Sequence, residues 1–301
     1  MKDVELHQLL QGNHRALLLV IDALPFPIYY KDLACKYLGC NKAYEEYVGL
    51  SRKQIIGKDV FELFEKGAAA IFAASDTELL ANPGIQIYEA PVIKPDGQML
   101  YVKFHKATFC NEYGEVAGLI GAIIDITEQK TLEKKFKRLA TYDDLTGIYN
   151  RREGRKQLKQ LCKDAVRHKR PISAILLDLD NFKVINDTYG HDTGDMVLKK
   201  AAQSLDRYSR AHDFVCRYGG EEFMIILPET NKQDAVKIGE RYLDELRKLE
   251  IQITNDEKLK ITASIGVGEL DAEFTDRELM LKQADEALYR AKANGKNQVC
   301  F

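Results

Sequence analysis

Residues 172–195 read ISAILLDLDNFKVINDTYGHDTGD, and this stretch decides how the C-terminal half of the chain folds. Its first part is an apolar run, which is typical of a β-strand buried on both faces of a sheet. The run ends with Asp178 and Asp180, so the strand delivers two carboxylates to the sheet edge, where the chain turns at Asn181. Carboxylate oxygens at a strand end suit Mg²⁺ bound together with a triphosphate.

A second acidic segment, RYGGEEF, occupies residues 217–223. Two glycines between β-rich flanks predict a tight hairpin that projects Glu221 and Glu222 at its tip. An isolated pair of glutamates is usually a solvated surface feature. Beside another carboxylate cluster and a Gly-Gly turn, however, this pair indicates a functional site.

Strand and helix patterns alternate along the sequence from residue 141 to 301. An α/β or α+β sheet with helical cover is therefore expected. We predict strands at 172–179, 213–217, 222–227 and 259–267, and helices at 150–167, 195–208, 232–249 and 276–293.

Five motifs occur together in this half of the chain: DDLTGIYNRR (143–152), DLDNFKVINDTYGHDTGD (178–195), RAHD (210–213), RYGGEEF (217–223) and ALYRAKANGKN (287–297). In this order and at these separations they resemble the GGDEF domain, the catalytic unit of diguanylate cyclases. The resemblance covers residues 143–301 and implies a palm-like central sheet covered by helices. It also implies that two GTP molecules condense to cyclic di-GMP with release of two pyrophosphates.

The same resemblance implies which residues bind metal and act in catalysis. Asp178, the main-chain carbonyl of Leu179 and Glu221 match ligands of Mg²⁺ or Mn²⁺, and Glu222 completes the acidic cluster. Glu221 is also the group expected to help deprotonate the 3′-hydroxyl that attacks the α-phosphorus of the other GTP. Positioning and electrostatics would supply most of the rate in such a reaction.

Basic side chains and main-chain amides are the expected phosphate contacts. The amides of Asn181 and Phe182 lie at a turn and, helped by Lys183, suit a phosphate group. Lys292 and Lys296 lie four residues apart at a helix C-terminus, so they share one face. Cations are common there for dipole reasons alone, but the resemblance implies that both lysines contact the terminal phosphates.

Asn186, His191 and Asp195 match positions that contact the nucleotide in the family. An amide and a carboxylate can pair with the O6 acceptor and the N1 and N2 donors of guanine, a pattern that adenine lacks, so GTP is the expected substrate. Relatives that make mixed cyclic dinucleotides commonly depart at the position of Asp195, and this chain does not. The alternative is a plain loop and helix start, with Asp192 or Thr193 as the cap.

Arg210 and Asp213 precede Gly219 at the spacing of the family's product-binding inhibitory site. The resemblance implies feedback by cyclic di-GMP, with Arg241 on the following helix as a further contact. Arginine suits two-pronged contacts with phosphate and guanine. The alternative is a surface ion pair between Arg210 and Asp213, worth under about 1 kcal/mol.

Residues 1–127 follow a different plan. Segment 85–109 is a hairpin pattern that turns at Pro95 to Gly97, and segment 114–127 adds a third strand. Helices are expected at 13–24, 41–48 and 68–80. With LPFPIYYKDLACKYLGCNKAYEEYVGLSRKQIIGKDVFELF (24–64), PDGQMLYV and the closing GAIIDITEQK, this layout resembles a PAS sensor domain, a small antiparallel sheet with helices on one side.

The resemblance to PAS domains leaves the ligand of this domain unknown, since such a sheet either holds a small molecule or packs its own core. His105 is a candidate haem ligand, although a lone histidine on a strand is more often an ordinary surface or core residue. Cys35, Cys40 and Cys110 fit small buried hydrophobes better than a flavin or redox site.

Residues 128–142 are expected to form a helical linker between the two domains. Leu132, Phe136 and Leu139 recur at spacings of four and three among charged residues, which is typical of a short parallel coiled coil. A homodimer through this helix and the PAS domain is therefore expected. The alternative is a helix that lies on its own domain.

Composition limits the other possibilities. With 301 residues and 34.2 kDa, the chain exceeds what one core usually fills, so two domains are expected. Its 44 basic and 46 acidic residues supply no basic field for nucleic acid. No apolar run reaches the length of about 20 residues that a membrane-spanning helix needs, and the start does not resemble a signal peptide. Six cysteines without a CxxC pair fit reduced thiols in the cytoplasm.

Two other functions compete with a cyclase that makes cyclic di-GMP. The first is a degenerate GGDEF domain that only senses GTP or cyclic di-GMP, although degenerate members usually lose the acidic signature that residues 219–223 retain. The second is a cyclase that makes a mixed cyclic dinucleotide on a similar sheet.

Overall fold

The computed structural model describes residues 14–93, 97–253, 257–270 and 277–301. Its chain divides into two compact units, Met1–Lys134 and Lys135–Phe301. Three predictions fall partly outside the described residues: the turn at Pro95 and Asp96, the helix start at Asn13, and the helix start at Asp276.

The first unit is built on a five-stranded antiparallel sheet. Its strands are β1 (Ile28–Lys31), β2 (Tyr37–Cys40), β3 (Ile85–Ile93), β4 (Met99–Cys110) and β5 (Val116–Asp125). They lie in the order β2-β1-β5-β4-β3. The predicted hairpin is confirmed, because β3 and β4 pair along their whole length, from Ile85 opposite Ala107 to Ile93 opposite Met99.

The described helices of this unit are α1 (His14–Asp22), α2 (Lys42–Val48), α3 (Arg52–Ile55), α4 (Val60–Leu63) and α5 (Lys66–Ala81), and α6 (Thr127–Thr141) begins in it and ends in the second unit. Asn41 caps α2, since its side chain accepts a hydrogen bond from the amide of Tyr44, and Gly49 ends that helix in the left-handed conformation. Helix α5 covers the predicted Ala-rich stretch and extends it by two residues at the N-terminus and one at the C-terminus. The core between helices and sheet includes Tyr37, Val102 and Leu119.

Strand alternation decides the place of the candidate cofactor residues. His105 is half-buried on the face of β4 opposite the core residues Val102 and Phe104, which does not favour a haem ligand inside the domain. Cys40 is buried as predicted. The prediction of a buried position is wrong for Cys110, which is exposed at the end of β4, and Cys35 is only half-buried.

The second unit contains a five-stranded sheet and a short ribbon. The large sheet consists of β6 (Ile172–Leu179), β7 (Phe214–Arg217), β8 (Glu222–Pro228), β11 (Ala263–Glu269) and β12 (Val299–Cys300), and the ribbon of β9 (Glu250–Gln252) and β10 (Lys258–Lys260). The strand order of the sheet is β12-β11-β6-β8-β7, antiparallel except for the β11–β12 pair.

Among the described residues of this unit, five helices cover both faces of the sheet: α7 (Arg151–His168), α8 (Phe182–Tyr189), α9 (His191–Tyr208), α10 (Lys232–Lys248) and α11 (Arg277–Ala293). All eight residues of β6 are buried, as the apolar run predicts. Ile175 and Leu177 belong to the core beneath α9 and α10, while Ala174 and Leu176 belong to the core beneath α7 and α11. A central strand covered on both faces thus carries Asp178 to the sheet edge.

Two sequence predictions in this unit are wrong. The strand predicted at 259–267 is split between β10 and β11, because Thr262 turns its main-chain carbonyl to the amide of Asp180 and its hydroxyl to the Asp180 carboxylate. Helix α8 was not predicted, and α9 begins four residues before Asp195. Gly190, with φ of +84°, separates these two helices.

Within the described ranges, no helix is long and apolar enough to cross a membrane.

Candidate active site

The register of β6 and β8 places the two acidic segments side by side. Asp178, near the end of β6, lies directly opposite Glu222, the first residue of β8. Residues opposite one another in an antiparallel pair project to the same face of the sheet. The carboxylates of Asp178 and Glu222 therefore lie on one face of the sheet. Glu221 comes directly before Glu222 in the hairpin. The amide of Leu179 donates to the carbonyl of Glu221 at 3.3 Å.

Lys292 provides the cation of this acidic cluster. Its Nζ lies 2.7 Å from Oδ2 of Asp178, and the Asp178 side chain is only 11% exposed. Burial raises the pKa of Asp178, and the charges of Glu221 and Glu222 raise it further, while Lys292 partly offsets both effects. Burial and the neighbouring glutamates both disfavour the charged form of Asp178, and a nearby cation offsets them.

Arg217 holds the hairpin that carries the glutamates. Its guanidinium donates to the Gly220 carbonyl at 2.8 and 3.0 Å and pairs with Asp143 at 3.1 Å. Burial raises the pKa of Asp143, but hydrogen bonds from Thr146 and the charge of Arg217 outweigh burial and lower it overall. The DDLTG and RYGGEEF motifs were both identified from the sequence, but the ion pair between Asp143 and Arg217 that connects them was not predicted.

Gly219 lies close to the Glu222 carboxylate within the same turn. A Cβ at this position would lie 2.5 Å from Oε2 of Glu222, whereas a Cβ at Gly220 would meet open space. The first glycine therefore lets the Glu222 carboxylate fold back over the hairpin.

Asp180 has a structural role distinct from that of Asp178. Its carboxylate accepts hydrogen bonds from the hydroxyls of Thr262 and Ser264, each at 2.7 Å, and from the amide of Asn297 at 3.1 Å. The residue is 5% exposed. Because these donors occupy both oxygens, Asp180 joins β6, β11 and the segment after α11.

The phosphate-binding residues predicted around Asn181 lie at the start of α8. Asn181 adopts a left-handed conformation with φ of +59°, and its side chain does not cap the helix. Its Oδ1 instead accepts a hydrogen bond from Nζ of Lys296 at 2.7 Å. Phe182 is buried while Lys183 is exposed. The hydrogen bond between Lys296 and Asn181 thus brings together the two segments that were predicted to bind phosphate, the turn at 181–183 and the end of α11.

The predicted base-reading residues lie on the α8–α9 corner. Asn186 is half-buried, and a Cβ on Gly194 would lie 1.9 Å from its Oδ1, so the amide sits against the first turn of α9. His191 and Asp195 are both exposed and share a face of α9, being four residues apart.

The donor chemistry of this site fits a divalent cation of the Mg²⁺ type. In the part of the chain that the structure describes, no group of three or more His, Cys, Asp or Glu side chains forms a metal cage. Mg²⁺ does not require such a cage, because it usually binds through one or two carboxylates together with substrate phosphates and water. Asp178 and Glu221 supply such carboxylates.

A separate cleft of about 230 Å³ lies beside the first residue of the RAHD motif and is lined by Arg210, Glu229, Thr230, Asp234, Lys237, Ile238 and Arg241. The Asp213 carboxylate accepts from the main-chain amide of Arg210 at 2.8 Å, so it stabilises a turn rather than pairing with the guanidinium. Its other oxygen is buried without a partner among the described residues. Arg241 donates to the carbonyl of Tyr208 at 3.1 Å.

Sequence reasoning missed Asp234 and Lys237 as lining residues of this cleft. The signal was available in α10, where Asp234, Lys237 and Arg241 recur at spacings of three and four and therefore share a face. The charge of Arg210 also helps to lower the pKa of Asp234, after the larger effect of Lys237.

The folds and the site define an α+β protein in which a small antiparallel-sheet domain is followed in sequence by a domain that carries a carboxylate site. Residues 140–298 match the family described as "Diguanylate cyclase, GGDEF domain", and residues 21–131 match the PAS fold. The chain belongs to the GGDEF family, and a PAS domain precedes its GGDEF domain.

Two relatives illustrate the extent of the match. The chain is 46% identical to the response regulator PleD of Caulobacter vibrioides over 162 residues, which are 54% of this chain but only 36% of PleD. It is 30% identical over 285 residues to a protein of Vibrio cholerae named diguanylate cyclase, covering 94% of this chain and 88% of that protein.

A solved structure resembles the second unit. The coiled coil and GGDEF domain of DgcB from Caulobacter crescentus, in complex with c-di-GMP, has a TM-score of 0.54 and 30% identity. The similarity covers 58% of this chain and 92% of that chain.

Proposed function

We propose that this protein is a diguanylate cyclase that condenses two GTP molecules into cyclic di-GMP and two pyrophosphates. One observation carries the proposal: the register of β6 and β8 sets Asp178 opposite Glu222, with Glu221 adjacent and the Lys292 ammonium 2.7 Å from Asp178. Carboxylates and a cation on one sheet face suit the binding of a metal and a triphosphate. The named relative that aligns with 94% of this chain supports the same activity.

Asp178, Glu221, Glu222 and the carbonyl of Leu179 would hold the divalent metal, Mg²⁺ or Mn²⁺, which when bound neutralises charge on the phosphates. Glu221 would accept the proton of the attacking 3′-hydroxyl. The new bond joins the 3′-oxygen to the α-phosphorus of the other GTP, and the bond to pyrophosphate breaks. A second such step closes the ring.

Lys292 and Lys296 would bind the phosphates by changing partners. Each lysine holds an oxygen of this site in the structure, Lys292 at Asp178 and Lys296 at Asn181. A bound triphosphate offers both lysines more negative charge than these partners do, and the amides of Asn181 and Phe182, with Lys183, lie beside it at the start of α8.

Asn186 and Asp195 would read the guanine edge, with His191 beside them on α9. The half-buried position of Asn186 against Gly194 supports this assignment, because packing fixes the amide before the base arrives. An asparagine held in this way discriminates between bases better than a mobile surface side chain.

The cleft at RAHD would bind the cyclic product and inhibit the enzyme. Arg210 and Arg241 line one cleft. Asp213 follows Arg210 by three residues, outside the lining of the cleft, and keeps a buried oxygen without a partner among the described residues. Arginines suit the phosphates of a dinucleotide, and a carboxylate suits the N1 and N2 donors of guanine. The likeness to a DgcB structure that contains c-di-GMP supports a product-binding role for this domain.

A homodimer would bring two GTP molecules together, since each chain contributes one such site. Helix α6 supports this arrangement, because its apolar stripe is exposed: Leu132 by 45%, Phe136 by 67% and Leu139 by 43%. A second copy of the helix would cover the stripe. The PAS domain would regulate the pairing.

Product analysis tests the proposed reaction. Purified protein would be incubated with Mg²⁺ and GTP, ATP or both, and the products separated by chromatography and identified by mass. We expect cyclic di-GMP from GTP and no product from ATP alone. Nucleotide binding without turnover would point to a degenerate sensing module, and a mixed dinucleotide from the GTP and ATP mixture would point to the other cyclase class.

A further inference from the structure

Three charged side chains lie together inside the PAS domain. Lys31 projects from β1, Asp76 from α5 and Lys106 from β4, and each ammonium lies 2.5 Å from a different oxygen of the Asp76 carboxylate. The side chains are 1%, 0% and 1% exposed. We refer to these three residues as the lysine bridge.

When all three groups are ionised, the two lysines carry two positive charges and Asp76 carries one negative charge. The lysine bridge then has a net charge of one positive unit. The salt bridges of both lysines end on the same carboxylate. Nearby Asp32 and Asp59 accept main-chain hydrogen bonds in partly exposed turns and caps. Burial lowers the pKa of Lys31, although Asp76 acts in the opposite direction. Loss of a proton or an added anion relieves a buried cation that has no counter-charge, and an anion within reach of both ammonium groups would keep both lysines charged.

The same residues have hydrogen-bonding capacity to spare. Each ammonium has three donors. Lys106 donates to Asp76 and to the Ser75 hydroxyl at 3.0 Å, whereas the hydrogen bond of Lys31 goes to Asp76. The Tyr88 hydroxyl is buried and has no hydrogen-bond partner among the described residues. Three ammonium donors and one hydroxyl thus remain for an acceptor.

Aromatic rings surround the spare donors. Lys31 lies 4.4 Å from the ring centre of Tyr37 and 5.3 Å from that of Tyr29, and Lys106 lies 5.3 Å from that of Tyr88. Tyr88 stacks on Phe104. Flat apolar walls beside two ammonium groups suit an organic acid better than a strongly hydrated inorganic ion.

We propose that the PAS core binds a small organic monocarboxylate, whose oxygens accept from Lys31, Lys106 and the Tyr88 hydroxyl while its apolar part lies among the rings. A single negative charge balances the single excess positive charge of the lysine bridge. Such a monocarboxylate would be the signal that the PAS domain detects. Its binding does not depend on the cyclase activity, because it is measured without GTP.

The test is calorimetric and thermal-shift titration of the full chain with sodium benzoate and sodium acetate at constant ionic strength, with chloride and sulfate as comparison salts. We expect saturable carboxylate binding, and a melting temperature raised by about 5 °C when the ligand is a hundredfold above its dissociation constant. Failure of both carboxylates to bind at millimolar concentration would overturn the proposal. So would an equal effect of sulfate.

Variants locate the binding to the lysine bridge. Lys106→Met should weaken benzoate binding at least tenfold, while Lys103→Met, on the outer face of the same strand, should leave it within twofold. Tyr88→Phe removes only the unpartnered hydroxyl, so the protein should fold normally and bind benzoate severalfold more weakly. If Lys106→Met does not fold, Tyr88→Phe and Lys31→Met decide the matter. Unchanged binding in Tyr88→Phe together with Lys106→Met or Lys31→Met would place the ligand elsewhere and refute the proposal.

Discussion

Glu221 is half-buried at the tip of its hairpin and has the proposed catalytic role, so its substitution separates activity from stability. Glu221→Gln should abolish cyclic di-GMP synthesis, because it removes a charge from the proposed metal site and the group that accepts the hydroxyl proton. The fold should persist, since the residue lies at a hairpin tip with little packing to lose. Turnover from GTP and the melting temperature measure the two effects.

Glu286→Gln is the matched control for this change. Glu286 is 58% exposed on α11, where it forms a long surface ion pair with Lys282. The control should retain wild-type turnover and stability. Turnover above one tenth of wild type in Glu221→Gln would remove Glu221 from the proposed catalytic role.

Asp180→Asn should damage stability more than any surface change, because the carboxylate accepts three hydrogen bonds in a buried position. An amide nitrogen in place of one oxygen leaves a donor facing a donor, at a cost of about 1–3 kcal/mol in the free energy of unfolding. Chemical denaturation would measure the loss. Asp187→Asn, at an exposed position on α8, should be neutral within about 0.5 kcal/mol. Equal stability of the two variants would contradict the structural role of Asp180.

These residues also illustrate what sequence could predict at this scale. The apolar run before Asp178 and Asp180 indicated that carboxylates reach the sheet edge, and the register of β6 confirms it for Asp178. The different surroundings of the two aspartates could not be predicted, because the partners of Asp180 lie 82 to 117 residues further along the chain.

At the scale of elements, local patterns succeeded where burial is uniform and failed where a tertiary contact breaks a strand. The predicted strand at 172–179 matches β6, whose residues are all buried. The prediction for 259–267 failed because Thr262, which lies between β10 and β11, forms hydrogen bonds with Asp180. These bonds separate the β9–β10 ribbon from the start of β11. Helix α8 is only eight residues long, and its start in the left-handed conformation of Asn181 carries no standard capping signal.

Helix α6 presents two different faces, which allows its role in assembly to be tested. Lys130 pairs with Glu89 at 2.7 Å, and Lys134 donates to the Tyr101 hydroxyl at 3.2 Å, so the basic face contacts the PAS sheet of the same chain. Phe136 lies on the opposite, apolar face. Phe136→Asp should therefore weaken dimerisation and make specific activity depend on protein concentration, measured by sedimentation and by turnover over a dilution series.

Phe136→Leu is the conservative partner of that variant. Leucine keeps the seam apolar and is common in coiled coils, so dimerisation and activity should stay near wild type. If Phe136→Asp remains a fully active dimer at every dilution, the chains pair without this helix, and the alternative of a helix lying on its own domain gains support.

At the scale of the whole molecule, the order of domains and the α+β class were predictable. The GGDEF motifs and the PAS pattern each occupy their own part of the chain, and the family matches confirm both. The lysine bridge was not predictable, because Lys31, Asp76 and Lys106 come from three elements far apart in sequence and none belongs to a motif. Only the folded core shows that two cations share one carboxylate.

Feedback by the product would couple two distinct surfaces of the GGDEF domain. Arg210 lines the cleft beside the RAHD motif, and the proposed catalytic carboxylates are not among the residues that line it. Arg210→Ala should therefore preserve initial turnover and weaken product inhibition by one to two decades, because the loss of a guanidinium bound to phosphate or guanine costs about 1.5–3 kcal/mol. Titration of cyclic di-GMP during steady-state turnover measures the inhibition constant. Arg167→Ala, at an exposed position in the last turn of α7, is the control and should change neither quantity. An inhibition constant within twofold of wild type in Arg210→Ala would show that this arginine does not bind the product.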